Sequence, residues 1–319
     1  MDDLVSIVVT SYNHAEFLQQ RMESLLSQTY ENTEIIVVDD CSTDGSQEIL
    51  DEFKSNKKVR LYLLNSNKGY VHVSNFGVSK AKGDYIVFAE CDDFSELDQI
   101  ESLHKAIKNR LSVGVVWSQS FVTNEKGNVV DDDLRERDSA FKRYCQTDVQ
   151  IPGSLLLKFM LHSNVIPNMS AAIFRKSLFI RIGGLTEKYK LSADYDLWVR
   201  MAEVSDFYYL KSPLNNYRTH PYSVRKKLGT AVQLIEMLDV ISYIKGKILL
   251  TFKEHLALNM YLGKRWFHFA KYEFNLFRTT FFAVFVEALR KEPQILIFMI
   301  LNIPVLSIQK IGRSINSGK

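Results

Sequence analysis

Cysteine is scarce in this 319-residue sequence, which holds Cys41, Cys91 and Cys145 and no CxxC spacing. An odd number of scattered cysteines argues against a disulfide framework and against a cysteine zinc site. The chain begins MDDLVSIVVTSYN, with acidic residues where a secretion signal needs basic ones. We therefore expect a cytoplasmic protein in a reducing compartment.

Two glycine-rich phosphate-binding motifs are also missing. No GxGxxG follows the first apolar run, and no GxxxxGK[ST] occurs in the chain. These absences exclude the usual dinucleotide fingerprint and the P-loop, so any bound nucleotide needs another device for its phosphates. A composition of 46% hydrophobic and 24% charged residues is otherwise typical of a globular protein with a sizeable core.

Positive charge is concentrated at the end of the chain. From Arg225 onward, 15 Lys and Arg accompany 6 Asp and Glu, whereas the preceding residues hold 25 against 31. The basic residues alternate with the apolar stretches TTFFAVFVEAL and ILIFMILNIPVLSI, a pattern that favours an anionic phospholipid surface over nucleic acid. Neither stretch spans a bilayer alone, because about 20 apolar residues are needed and Glu287 and Pro304 interrupt them. We expect peripheral attachment at the inner face of the cell membrane; the alternative is a buried helical subdomain.

The first 117 residues alternate apolar, β-branched runs with amphipathic stretches. The expected strands are LVSIVVT, EIIVVDD, VRLYLL, DYIVFAE and VGVVW, and the expected helices cover residues 15–28, 45–55, 70–81 and 95–109. This alternation predicts an α/β fold with a mostly parallel central sheet flanked by helices. Ligands of such sheets bind beyond the carboxyl ends of the strands.

The pattern becomes less regular between residues 118 and 224. A hairpin is expected with its turn near Gly127, followed by the charged run DDDLRERD, which we expect to be a mobile solvated loop. The segment NMSAAIFRKSLFIRIGG is then expected to form a strand entering a helix that ends at Gly183 and Gly184, and SADYDLWVRMAEV is expected to form another helix. Residues 225–319 read as a helical extension.

Polar side chains follow three of the expected strands. They are Thr10-Ser11-Tyr12-Asn13, Asp39-Asp40 and Glu90-Cys91-Asp92-Asp93. Gathering Asp40, Asp92 and Asp93 at one edge is costly unless a cation or a donor-rich ligand compensates the charge. Carboxylates without cysteine or paired histidine favour Mg²⁺ or Mn²⁺ over zinc. The alternative for each aspartate is a helix cap.

Five segments resemble, in order, the successive motifs of glycosyltransferase family 2: VSIVVTSYN, EIIVVDDCSTDGS, NKGYVHVSNFGVSKAKGDYIVFAECDD, FRKSLFIRIGG and SADYDLWVRMA. The resemblance covers about residues 4–223 and implies a GT-A (Rossmann-like) fold with a helical C-terminal extension. It implies metal-dependent, inverting transfer from a nucleotide-diphosphate sugar, a UDP-sugar above all, to a hydroxyl of a glycan or lipid-linked acceptor. The expected setting is surface-polysaccharide biosynthesis.

The resemblance also divides the chain and assigns roles to residues. Residues 1–117 would form the nucleotide-sugar-binding half, 118–224 the acceptor-binding half with the catalytic base, and 225–319 the extension. The implied catalytic base is Asp194, and Asp196 would form a cap or an ion pair. The implied nucleotide-binding residues are Thr10, Tyr12, Asp40, Asn67, Gly69 and Asp92; the implied metal ligands are Asp93 and His220; Arg218 would contact the diphosphate.

Two other functions remain open from the sequence. A sugar nucleotidyltransferase shares the sheet architecture but needs a glycine-rich, basic loop after the first strand, where TSYNHAEF has no glycine. A catalytically inactive scaffold or nucleotide-binding subunit could retain the fold without turnover. The joint presence of Asp40, Asp93 and Asp194 argues against that second alternative.

Overall fold

The computed structural model describes residues 3–134, 137, 139–166, 168–220, 224–273, 286–287, 289–291 and 293. The chain divides into two compact units, Met1–Ser223 and Val224–Lys319. The first unit holds the predicted α/β pattern, and the described part of the second is helical.

Ten strands of the described chain form one mixed sheet. They are β1 (Val5–Ser11), β2 (Thr33–Asp39), β3 (Val59–Leu63), β4 (Tyr85–Glu90), β5 (Phe94–Ser95), β6 (Val113–Thr123), β7 (Val129–Asp132), β8 (Val149–Ile151), β9 (Ala172–Arg175) and β10 (Asp206–Arg218). The order across the sheet is β3-β2-β1-β4-β9-β6-β10-β5, with β7 paired to β6 and β8 to β10.

Helices cover this sheet, and the fold class predicted from the sequence is confirmed. They are α1 (Ala15–Leu26), α2 (Ser46–Glu52), α3 (Tyr70–Lys80), α4 (Gln99–Lys108), α5 (Ser139–Tyr144), α6 (Gly153–Met160), α7 (Lys176–Arg181) and α8 (Ala193–Ala202). Helix α4 begins at Gln99 and not at Ser95, because Ser95 pairs with Asn215 of β10 as part of β5.

The parallel part of the sheet is the half nearest the N-terminus. β1 runs parallel to β2 and β4, and β2 runs parallel to β3. β9 then lies antiparallel between β4 and β6. Because β9 enters from the opposite direction, the 3-10 turn Met169–Ala171 that precedes it lies at the carboxyl end of β4, where Ser170 Oγ accepts from Glu90 N at 2.9 Å.

Both faces of the central strands are buried, as expected for a sheet covered by helices. All seven residues of β2 are buried. Gly77 of α3 has no room for a side chain, because a Cβ there would lie 2.3 Å from Val8 Cγ1. Helix α3 therefore packs directly on β1. Ligands of such covered sheets bind beyond the carboxyl ends of the strands.

The second unit contains α9 (Val224–Lys245) and α10 (Phe252–Glu273), which contact each other. Apolar side chains such as Ile241 and Leu262 are buried. The stretches TTFFAVFVEAL and ILIFMILNIPVLSI lie almost entirely outside the described residues. In the part of the chain that the structure describes, no helix is both long and apolar enough to cross a membrane.

Candidate active site

The loops after β1 and β2 are tied together at the carboxyl edge of the sheet. Asn13 Oδ1 accepts from Thr43 N at 2.9 Å, and Ser42 Oγ accepts from Asn13 N at 2.9 Å. Asn13 and Cys41 adopt positive φ angles of 54° and 67°, a conformation that is uncommon outside glycine and concentrates at functional sites. These cross-links hold the edge in a defined shape.

Asp40 clamps the segment that carries Asn67 and Gly69. Its buried carboxylate accepts from Lys68 N at 2.7 Å and from Gly69 N at 2.8 Å. Gly69 has a φ of 86° with nothing near its Cβ position, so glycine is needed there for backbone conformation. Each carboxylate oxygen can accept a second hydrogen bond, which leaves Asp40 able to bind a ligand N–H.

Two other predicted nucleotide-binding residues lie at the end of β1, and a third lies just before α3. Thr10 occupies the carboxyl end of β1 and is half-buried, and Tyr12 follows that strand with 46% of its surface exposed. Asn67 is exposed in the loop before α3. Asp40 N donates to Ser11 O at 2.8 Å, so the exposed ring of Tyr12 belongs to a segment bonded to Asp40. Such a ring can stack on a flat base.

A cluster of two histidines and one carboxylate forms where β1, β4 and β10 end. His220 Nε2 lies 3.0 Å from Asp92 Oδ2. His14, Asp92 and His220, here named the His-Asp-His cluster, each offer an atom within 4.8 Å of the others. Burial opposes ionisation of Asp92, but the hydrogen bond from His220 and the charges of His14 and His220 outweigh it and lower the pKa of Asp92.

Asp93 faces away from this cluster, toward the backbone of β10. Its carboxylate is 1% exposed and accepts from Arg218 N at 3.0 Å and from Asn215 Nδ2 at 3.4 Å. Burial and the neighbouring Asp92 raise the pKa of Asp93 to about 7. The carboxylate that joins His220 is thus Asp92, whereas the oxygens of Asp93 accept hydrogen bonds from β10. The role of Asp93 as a metal ligand stays a prediction.

Arg218 is buried within the protein and does not face the cleft as a free cation. It is 3% exposed, its guanidinium lies 4.7 Å from the ring centre of Phe17, and it donates to Asp92 O, Glu125 O and Gln20 Oε1. Its N–H groups are thus bonded within the protein, and the contact of Arg218 with a diphosphate stays a prediction. The side chain instead fixes the main chain at Asp92 against the end of β10.

Two residues of the candidate site, His14 and Arg21, were not predicted from the sequence. Arg21 is 1% exposed in α1 and donates to Glu90 O and Ser95 Oγ, both at 2.9 Å. Burial lowers the pKa of Arg21, and the nearby Asp93, Asp92 and Glu90 act in the opposite direction. The positive charge of Arg21 in turn offsets part of the negative charge of these carboxylates. The sequence did contain a signal for each residue. Arg21 lies three residues after Leu18, on the apolar face of α1, and His14 directly follows the polar residues at the end of β1.

Asp194 reaches the same edge from a distant part of the chain. It lies in the first turn of α8, where the helix dipole favours a carboxylate, and its Oδ2 accepts from Asn164 Nδ2 at 3.0 Å. Burial, then Asp93, Asp92 and Asp194, raise the pKa of Glu90 well above its ordinary value. Asp194 is therefore within electrostatic range of the end of β4.

Asp196 has the role expected for it, and the aromatic residue two positions later is core. Its Oδ2 accepts from Arg200 Nε at 2.7 Å, which confirms the predicted ion pair. Trp198 is fully buried. Helix α8 thus presents Asp194 from its first turn while the following residues anchor the helix.

Comparisons with known proteins identify the family and the fold of the chain. The model of glycosyl transferase family 2 matches residues 6–182. The chain is 40% identical to glycosyltransferase GlyG of Streptococcus pneumoniae over 129 residues, which are 40% of this chain and 43% of GlyG. It is 23% identical to an uncharacterized glycosyltransferase of Haemophilus influenzae over 290 residues, 87% of this chain and 91% of that protein. The matched region thus spans less than half the length of GlyG.

Two solved structures share the fold at low sequence identity. S. aureus TarS 1-349 in complex with UDP has a TM-score of 0.64 and 16% identity, with 91% of this chain and 81% of that chain covered. The Pyrobaculum calidifontis mannosyltransferase PcManGT, in complex with GDP-Man and Mn²⁺, has a TM-score of 0.61 and 15% identity, with 100% and 82% covered. The family model covers more than half of the sequence, and the chain therefore belongs to glycosyl transferase family 2, with the GT-A fold.

Proposed function

We propose that this protein transfers a sugar from a UDP-sugar to a hydroxyl group, with inversion at the anomeric carbon. The observation that carries the proposal is the His-Asp-His cluster at the carboxyl edge of the sheet, with Asp194 in the first turn of α8 close enough to act on Glu90 at the end of β4. A carboxylate from the irregular half of the chain would thereby share one cleft with the nucleotide-side acids. General-base transfer to a hydroxyl needs this pairing of a base with a leaving-group site.

The donor base would bind at the clamp formed by Asp40. A uracil ring N–H can donate to a free lone pair of the Asp40 carboxylate while Tyr12 stacks on the ring. The complexes of TarS with UDP and with UDP-GlcNAc support a UDP-sugar for a chain of the same fold. Thr10, Asn67 and Gly69 belong to the same proposed nucleotide site.

The His-Asp-His cluster fits a divalent cation, and the complex of PcManGT with Mn²⁺ supports such a metal. His14, Asp92 and His220, whose ligand atoms lie within 4.8 Å of one another, would hold the ion. Two imidazoles beside one carboxylate favour a transition metal, so we propose Mn²⁺ over Mg²⁺. When bound, the metal would offset negative charge on the departing diphosphate.

Asp194 would act as the general base. It would accept the proton of the acceptor hydroxyl as that oxygen attacks the anomeric carbon from the face opposite the nucleotide. The new glycosidic bond forms while the bond from the anomeric carbon to the diphosphate oxygen breaks, and one displacement inverts the configuration. Arg21, buried beneath the acidic edge, would reduce the repulsion among its carboxylates.

A thermal-shift panel tests the donor site. Wild type, Asp92→Ala and Asp93→Asn are melted with UDP, GDP, dTDP or CMP, each with Mn²⁺, with Mg²⁺ or with chelator. We expect a Mn²⁺-dependent rise in Tm with UDP, kept in Asp93→Asn and lost in Asp92→Ala. If no nucleotide shifts wild type under any metal, the chain is a scaffold that keeps the fold without the chemistry.

For the second unit we propose attachment to the anionic inner face of the cell membrane, where a glycan or lipid-linked acceptor of surface-polysaccharide biosynthesis would be met. Phe252, Leu256 and Met260 recur every fourth residue on α10 and are 81%, 40% and 44% exposed, so they share one side of the helix. The excess of basic residues after Arg225 would add attraction to anionic lipids.

Vesicle sedimentation tests this attachment. The full chain should sediment with phosphatidylglycerol vesicles and remain in solution with phosphatidylcholine vesicles. Phe252→Glu with Met260→Glu should weaken sedimentation, whereas Leu111→Glu should not, because Leu111 is 92% exposed in the first unit. Failure of wild type to sediment with anionic vesicles would overturn the attachment and leave the transferase proposal intact.

A further inference from the structure

Asn164 holds the carboxylate of Asp194 through an amide whose orientation is set locally. Asn164 Oδ1 accepts from Ile166 N at 3.1 Å, a turn made by the side chain on its own backbone. Since the oxygen is used there, the amide nitrogen faces Asp194 Oδ2, to which it donates at 3.0 Å. One residue thus aims a donor at the proposed base from a loop that the family motifs do not include.

A buried ion pair fixes the backbone of Asn164. Arg137 Nη1 donates to Asn164 O at 2.5 Å, and Arg137 Nη2 lies 3.6 Å from Asp133 Oδ2. The two charged side chains are only 9% and 8% exposed, and Asp133 N donates to Ser120 O of β6 at 3.1 Å. This contact ties the network to the central sheet.

These contacts correct one expectation from the sequence. The run DDDLRERD was expected to be a mobile solvated loop, yet Asp133 and Arg137, both within it, are almost fully buried. The Asp133 carboxylate lies beside the Arg137 guanidinium, whose positive charge partly offsets the cost of burying it. The run therefore contains a structural anchor next to the cleft.

We propose that Asn164 is a positioning residue for Asp194, held in place by the Arg137–Asp133 ion pair. It orients the carboxylate toward the acceptor hydroxyl and stabilises its ionised form by donating a hydrogen bond. The inference rests on the proposed role of Asp194 as general base. It adds a network that begins in β6 and ends at that base.

The chemical consequence is a change in the titration of Asp194. A hydrogen bond donated to a carboxylate favours the ionised form, so its loss makes the carboxylate easier to protonate. Glu90, at the end of β4, and Tyr70, in α3, are titratable groups that interact electrostatically with Asp194. Substituting Asn164 leaves both groups in place, so the change in titration reports the missing donor.

The test follows the Asp194 carboxyl carbon by NMR in full-length protein labelled with [¹³Cγ]aspartate. The Asp194 signal is the one missing from Asp194→Asn. In Asn164→Ala we expect the midpoint of its titration to move to higher pH, with about a tenfold gain in proton affinity. Asn164→Asp should move it further, because it keeps the acceptor for Ile166 N and places a second carboxylate beside Asp194.

The matched control is Asn56→Ala. Asn56 Oδ1 accepts from Lys58 N at 3.0 Å in the same kind of turn, and its side chain is exposed. The control should leave the Asp194 midpoint unchanged. If Asn164→Ala also leaves it unchanged, the positioning role is wrong.

A kinetic arm separates this inference from the proposed function. Release of UDP from UDP-GlcNAc with water as acceptor is measured against pH. In Arg137→Met, as in Asn164→Ala, the acidic limb of the pH dependence of UDP release should move to higher pH. Arg137→Lys should partly restore the position of that limb. The KM for UDP-GlcNAc should be unchanged in these variants. Turnover that survives Asp194→Asn overturns the proposed function, whereas an unmoved limb in Asn164→Ala overturns only the inference.

Discussion

Asp92 and His220 lie 128 positions apart in the chain, yet Asp92 Oδ2 and His220 Nε2 are 3.0 Å apart. The adjacent Asp93 turns the other way and accepts from the backbone N–H of Arg218 at 3.0 Å. The two neighbouring aspartates therefore have different roles. Asp92 completes the His-Asp-His cluster, and Asp93 binds the end of β10, two residues before His220.

Substitution of these two aspartates should separate metal binding from architecture. Asp92→Asn removes the anionic ligand, and we expect the affinity for Mn²⁺ to fall at least about tenfold. Asp93→Asn keeps an oxygen acceptor for Arg218 N, so Mn²⁺ affinity should stay within a few-fold of wild type. Isothermal titration calorimetry with Mn²⁺ measures both, and equal losses in the two variants would contradict the assignment to Asp92.

Asp194→Asn should lower turnover by roughly 10²- to 10⁴-fold, the scale of general-base removal, while UDP affinity is nearly kept. Asp196→Asn is the control on the same helix. It weakens the ion pair with Arg200 and should lower the melting temperature while turnover stays within a few-fold. Initial rates of UDP release, with UDP binding measured in parallel, test both, and an active Asp194→Asn would remove Asp194 from the role of base.

Asp40→Asn should damage the donor pocket through its backbone clamp. One carboxylate oxygen becomes an NH₂ group that faces the N–H of Lys68 or Gly69, and such a mismatch of buried donors costs about 1–3 kcal/mol. We expect a lower Tm and weaker UDP binding. Asp51→Asn, at an exposed aspartate in α2, is the control; equal UDP affinity in wild type and Asp40→Asn would argue against the clamp.

The stability of the first unit should depend on pH through Asp133. Burial raises the pKa of Asp133 to about 6, above the value near 3.9 of an unfolded aspartate. The folded state therefore binds the proton of the Asp133 carboxyl group more tightly than the unfolded state does. The stability that this proton contributes is lost as the pH rises through 6.

Asp133→Asn removes the titrating carboxyl group, so its stability should not fall as the pH rises through 6. The free energy of unfolding of Asp133→Asn minus that of wild type should therefore increase by about 1 kcal/mol from pH 5 to pH 7.5. Urea unfolding at the two pH values measures the difference. A difference that is the same at both would show that Asp133 does not titrate in this range.

Much of the nucleotide-side fold could be predicted because its signals are local. The strand runs ending at Ser11, Asp39 and Glu90 are apolar on both faces and are separated by amphipathic helices, so periodicity alone indicates a covered parallel sheet. The insertion of β9 between β4 and β6 could not be read this way, since its four residues carry no sign of their partner.

The surroundings of Asp93 and Arg218 could not be predicted from the sequence. The resemblance to the family assigned Asp93 to the metal and Arg218 to the diphosphate, and the structure shows both side chains buried and bonded to other parts of the protein. The direction of a side chain at the end of a strand depends on which distant strand pairs there. For Asp93 that partner is β10, more than a hundred residues later in the chain.

The sequence by itself determined the fold class, the acidic carboxyl edge of the sheet and the candidate base Asp194, because periodicity and motif order are properties of neighbouring residues. Only the tertiary structure decided that Asp92 joins His14 and His220, and that Asn164 holds Asp194. Those contacts join side chains that are distant in the chain, and their geometry follows from how β10, α8 and the loop before β9 pack against the sheet.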